Sequence, residues 1–164
     1  MPVTDAITSL HGVPATPSSI FQSTTAIYSD YELDFGAPAA GTSTPYLPEF
    51  PSSTEKGYTF PPEVVGDGGV EMGVHLVIGT AVSGGSISNG TINVYSSAAS
   101  SATASIASRA FTTTQLAVAG AHYFVPVSMV AVLEFLRCGF TPGTGAAGAG
   151  TGWAWFGPKT GGEQ

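Results

Sequence analysis

From Val70 to Val82 apolar residues fall on alternate positions. Val70, Met72, Val74, Leu76, Ile78 and Val82 share one face, while Gly73, His75 and Gly79 lie on the other. That period of two is the pleat of a β-strand and does not fit the 3.6-residue turn of a helix. Similar segments recur along the chain. A strand over 86–96 turns Ile92 and Val94 inward. Ile106–Thr113 and Ala121–Val127 read as two more, with Pro126 marking an edge or a strand end. Gly152–Gly157 closes the series with Trp153, Trp155 and Phe156. Between them lie a Ser83-Gly84-Gly85 turn, a small-residue loop over Ser97–Ala104, a short connection or single helical turn at Leu116–Gly120, and a Gly-rich turn over Thr141–Gly150. Asn89-Gly90-Thr91 matches a glycosylation sequon and is read as a hairpin turn. Met129–Phe140 has the length of a short helix, but its β-branched and aromatic content favours a strand.

The expected fold is all-β, with about seven strands punctuated by turns, as in a sandwich or barrel. The 22 glycines and 12 prolines argue against long helices. No internal repeat accompanies the strands.

Charge is scarce. Between Met72 and Trp155 the charged side chains are Arg109, Glu134 and Arg137, and across the 164 residues the charged fraction is 9%, against about 25% in an ordinary domain. Gly, Ser and Thr interrupt every apolar stretch, so no run reaches the ~18 residues of a spanning helix. A surface of hydroxyls, small residues and backbone suits a protein packed on a lattice better than a freely diffusing enzyme. The formal net charge of −7 argues against direct binding to nucleic acid or to anionic membranes. The single cysteine, Cys138, excludes an intrachain disulfide, and the N-terminus lacks the pattern of a signal peptide.

Residues 1–25 are rich in Pro, Ser and Thr and read as an arm. Residues 26–35 alternate as one half-buried strand, with Ile27, Tyr31, Leu33 and Phe35 opposite Tyr28, Asp30, Glu32 and Asp34. The sandwich domain is expected over 26–159, interrupted by a Pro-rich loop at 43–66 and followed by a tail at 160–164. The loop carries Tyr46, Phe50, Tyr58 and Phe60, and a long irregular loop with aromatics is usually docked or functional.

Few residues suggest chemistry. His11, His75 and His122 form no HExxH motif, although His75 and His122 lie on strands that can meet in space; satisfied or solvent-facing histidines are expected, with no metal and no cofactor. Asp30, Glu32 and Asp34 share a face that can gather Ca²⁺, but a solvated acidic edge is the plainer reading. Cys138 has apolar neighbours and reads as a buried, inert thiol. G-x-S-x-G and phosphate-loop patterns are absent, so no enzyme activity is expected. Arg137 reads either as the partner of Glu134 or of a carboxylate on another chain, or as a surface arginine at a strand end. Phe140, Trp153, Trp155 and Phe156 read as core and inter-sheet packing.

The order of segments carries a resemblance. Tyr28-Ser-Asp-Tyr-Glu-Leu-Asp-Phe-Gly36 is followed by Val74-His-Leu-Val-Ile-Gly-Thr-Ala81 and, after Ser-Gly-Gly, by Ile92-Asn-Val-Tyr-Ser96. Gly120-Ala-His-Tyr-Phe-Val-Pro126, Leu133-Glu-Phe-Leu-Arg137, a Gly-rich turn and an aromatic strand ending Pro158-Lys159 complete it. Over roughly Tyr28 to Lys159 the chain resembles the Bbp16-like capsid cement (decoration) proteins of tailed bacteriophages. The resemblance implies a jelly-roll-like antiparallel β-sandwich on the exterior of an HK97-type capsid. It also implies a major capsid protein as partner, a symmetric homo-oligomer such as a dimer or trimer, and synthesis in the host cytoplasm. The candidate contact residues are Tyr46, Phe50, Tyr58 and Phe60 of the loop together with Arg109, Glu134 and Arg137. Two other readings compete. One is a carbohydrate-binding sandwich with Tyr46, Tyr58 and Trp153 as a stacking platform; the other is a metal-dependent enzyme of double-stranded β-helix type, whose expected ligand set the sequence lacks.

Overall fold

The computed structural model describes residues 9–11, 19–29, 32–34, 71–85, 87, 89–128 and 131–163. Among these lie nine strands and one helical turn: β1 (Ser9–His11), β2 (Ile27–Tyr28), β3 (Leu33–Asp34), β4 (Met72–Ser83), β5 (Asn89–Ser97), β6 (Ser105–Thr112), α1 (Thr113–Leu116), β7 (His122–Pro126), β8 (Phe135–Pro142) and β9 (Ala149–Pro158). They form two antiparallel sheets, ordered β1-β9-β4-β7 and β2-β8-β5-β6, with β3 also paired to β8. The protein is an all-β sandwich.

The alternation read from the sequence sets which side chains fill the space between the sheets. Val74, Leu76 and Ile78 of β4 meet Ile92 and Val94 of β5, with Leu136, Cys138 and Phe140 of β8, and all are buried. Tyr123 and Val125 of β7 and Ala154 and Phe156 of β9 complete the layer. Cys138 is buried, as its apolar neighbours imply. Gly84 and Gly85 turn the chain after β4 with φ of +65° and +66°, a region that Gly enters without a Cβ penalty. Pro126 ends β7 on the edge of its sheet, where a missing N–H costs no ladder bond.

Several segments differ from the expectation. The stretch 1–25 is not wholly an arm. Ser9–His11 pairs with β9, Leu10 is buried, and Ile20 and Phe21 enter the core. The Ala147 N–H donates to the Phe21 carbonyl at 3.1 Å and the Gln22 side chain donates to the Gly150 carbonyl at 3.0 Å, so this segment is tied to the loop before β9 and to its start. The single strand expected over 26–35 is two short strands, β2 and β3, both laid on β8. Asn89-Gly90-Thr91 is not a turn but the start of β5. Gly90 is needed there because a Cβ would lie 2.1 Å from the Phe140 ring.

Of the expected segment, residues 131–134 form no strand, with Ala131 in a single 3₁₀ turn, and β8 begins at Phe135. Buried Ser96 accounts for the bend: its hydroxyl donates to the Phe135 carbonyl and accepts from the Leu133 N–H, each at 2.8 Å. The Pro-rich loop 43–66, with Tyr46, Phe50, Tyr58 and Phe60, lies outside the described residues.

Candidate functional site

The outward face of the four-stranded sheet carries the densest chemistry among the described residues. The pleat that sends Val74 and Leu76 inward sends His75 outward. Antiparallel pairing sets His75 opposite Trp155 of β9 and Phe124 of β7, and sets Val77 opposite His122. His122 is therefore the diagonal neighbour of His75, within reach of a long side chain. Trp155 thus lies on the outer face rather than between the sheets.

This face is covered. His75 is fully buried and stacks on the Trp155 indole, centroids 4.7 Å apart and planes 4° from parallel, with Phe124 at 4.9 Å. The C-terminal segment folds back over it. The Lys159 N–H donates to the Glu71 carbonyl at 2.8 Å, and the Lys159 ammonium pairs with the Glu71 carboxylate at 2.8 Å. Beyond it, the Glu163 carboxylate reaches within 3.4 Å of His75 Nδ1, its side chain 1% exposed.

Hydrogen bonding fixes the tautomers. His75 Nε2 lies 3.0 Å from the Pro158 carbonyl, which can only accept, so Nε2 carries the proton and Nδ1 presents a lone pair. His122 Nε2 stands 2.9 Å from that Nδ1 and donates to it. Burial lowers the His75 pKa, and the neighbouring His122 lowers it further, against smaller opposing effects of Pro158 and Glu163. Burial lowers His122 as well, opposed by Glu163. For Glu163, burial alone pushes the pKa up, but hydrogen bonds from the Thr160 hydroxyl, the Thr160 N–H and the Gly161 N–H outweigh it and bring it to about 2. At neutral pH the cluster is two neutral imidazoles and one carboxylate. Their ligand atoms lie within 4.8 Å of one another. Such a trio can hold a proton or a cation.

The sequence brings His75 and His122 into view by placing them on neighbouring strands. It gives no sign of Glu163, which stands after the last strand in a Gly-rich tail and reaches the site only because that tail folds back.

Both arginines are engaged within the chain. Arg109 of β6 donates to the Phe124 carbonyl at 2.9 Å and lies 5.3 Å and 5.2 Å from the ring centroids of Phe111 and Tyr123, joining the open edges of the two sheets. Arg137 donates to the Ala102 carbonyl and lies 4.0 Å over the Tyr28 ring. Among the described residues no ion pair joins Arg137 to half-buried Glu134. Glu32 is not simply a solvated edge charge: its carboxylate accepts from the Ser101 and Ala102 N–H groups, each at 2.8 Å, and so holds the loop after β5. Trp153 is half-buried on the outer face.

Among the described residues, no helix is long and apolar enough to cross a membrane. No protein-family model matches the chain, and no curated protein matches it.

Proposed function

We propose that this protein binds the outside of a tailed-phage capsid and cements neighbouring major capsid subunits. The observation that carries the reading is the order of strands. β1-β9-β4-β7 facing β2-β8-β5-β6, with β5 and β6 a hairpin and the connections from β6 to β9 crossing between sheets, supports the jelly-roll reading that the family resemblance implies.

The surface supports the same reading. Arg109 and Arg137 are turned to internal partners, while Ser105, Ser108, Ala110 and Thr112 of edge strand β6 are exposed. Docking then works by shape and area, each contact weak and many acting together on the lattice. The protein acts as a symmetric homo-oligomer whose copies each meet equivalent capsid surfaces.

The test is co-sedimentation of the purified chain with expanded, undecorated capsids assembled from the major capsid protein of the same genome. Saturable binding at a fixed ratio to capsid subunits is the expected result. No co-sedimentation at large protein excess overturns the proposal.

A further inference from the structure

We propose that His75, His122 and Glu163 form a binding site for a zinc-like divalent transition-metal ion, and that the ion fastens residues 159–163 to the outer face of the four-stranded sheet. The inference is independent of the capsid reading.

The geometry is close to a coordination shell. In a tetrahedral zinc site with metal–ligand distances of about 2.0–2.2 Å, ligand atoms lie roughly 3.3–3.5 Å apart. Here His75 Nδ1 lies 2.9 Å from His122 Nε2 and 3.4 Å from Glu163 Oε1. The widest separation in the trio, at most 4.8 Å, closes to a tetrahedral edge with a small swing of the Glu163 side chain.

The outer partners also fit. A ligating histidine usually donates its other ring N–H to a carbonyl or carboxylate, which aims the metal-binding nitrogen. The Pro158 carbonyl takes that place for His75 Nε2, while Trp155 and Phe124 fix the ring plane. The Glu163 carboxylate is likewise oriented, by the Thr160 and Gly161 N–H groups and the Thr160 hydroxyl.

Without an ion, two electron-rich atoms, His75 Nδ1 and Glu163 Oε1, face each other at 3.4 Å. One proton on His122 Nε2 serves His75 Nδ1, and the ionised Glu163 faces the same lone pair with nothing shared between them. An ion at the centre accepts from all three atoms at once. His122 remains neutral by carrying its single ring proton on Nδ1 instead of Nε2.

The donor set selects the ion class. Two imidazoles and one carboxylate suit zinc and its neighbours, whereas calcium and magnesium prefer shells of oxygen. The sheet register fixes His75 and His122 relative to each other. Glu163, from the tail, is the ligand that makes the ion a staple. A fourth position is left for water.

The test uses the full chain without an affinity tag, stripped with chelator and titrated with Zn²⁺ by calorimetry and with Co²⁺ by visible absorption. One ion per chain is expected, with the intense ligand-field bands of four-coordinate Co²⁺. Hydrogen exchange across 159–163 should slow when Zn²⁺ is added. Glu163→Gln and His122→Gln, each checked for an unchanged near-ultraviolet circular dichroism spectrum, should weaken binding by at least the roughly 10–100-fold that follows loss of a supporting partner alone. His11→Ala should bind as the parent does. Absence of binding, wild-type affinity in both site variants, or loss of binding in His11→Ala overturns the assignment.

Discussion

Phe140 lies over Gly90 and meets Phe21 edge-on, centroids 4.9 Å apart at 86°. The ring is 2% exposed, so it has little room to retreat from a new methyl group. Gly90→Ala should therefore destabilise the fold by about 1–3 kcal/mol through overpacking, read as a lower urea midpoint. Adding Phe140→Leu should recover part of the loss; a double variant no better than the single would show that backbone freedom, not the ring, sets the requirement. Ser96 makes a different demand. Ser96→Ala removes the donor to Phe135 and the acceptor of the Leu133 N–H at a buried position, a loss of about 1–3 kcal/mol for the two bonds. Chemical denaturation checks it, and a stability unchanged within error would show that water replaces the hydroxyl.

Truncation tests the elements. Removal of 1–25 deletes β1 and the buried side chains of Leu10, Ile20 and Phe21, each worth about 1.5–3 kcal/mol. Against a typical domain stability of about 5–15 kcal/mol, a chain beginning at Ala26 should lose its cooperative thermal transition, whereas one beginning at Ser9 should keep it. Loss of capsid binding on removing 1–25 would consequently report unfolding as readily as a missing contact. A cooperative transition in the shorter chain would restore the arm reading.

The same elements show where sequence is legible. β4, β5, β6 and β9 are long enough for alternation to identify them, and the alternation of β4 also places His75 on the outer face. β1 has one apolar residue, Leu10, in three, and its extended conformation comes from pairing with β9. β2 and β3 belong to a stretch whose alternation runs across a break, because period alone does not show where pairing stops. Asn89-Gly90-Thr91 misleads because a glycine required by a distant ring looks locally like one required by a turn. Glu163 is invisible for a related reason, since its role depends on the return of the tail after β9.

At the scale of the whole molecule, the engagement of Arg109 and Arg137 inside the chain bears on how the proposed docking responds to salt. Screening shortens the reach of charge from about 30 Å at 0.01 M to about 3 Å at 1 M, but leaves apolar burial intact. Capsid co-sedimentation should thus change little over that range. A steep fall with salt would point to charged contacts instead of area. The sheet order has one more outcome, in the history of each molecule. β9, within the last residues of the chain, is inserted between β1 near the start and β4 in the middle. Until β9 has been made, β1 has no neighbour in this sheet and β4 is open on one side. The four-stranded sheet cannot be completed before its final strand emerges, so a nascent chain stalled short of Ala149 leaves β4 available to another incomplete copy.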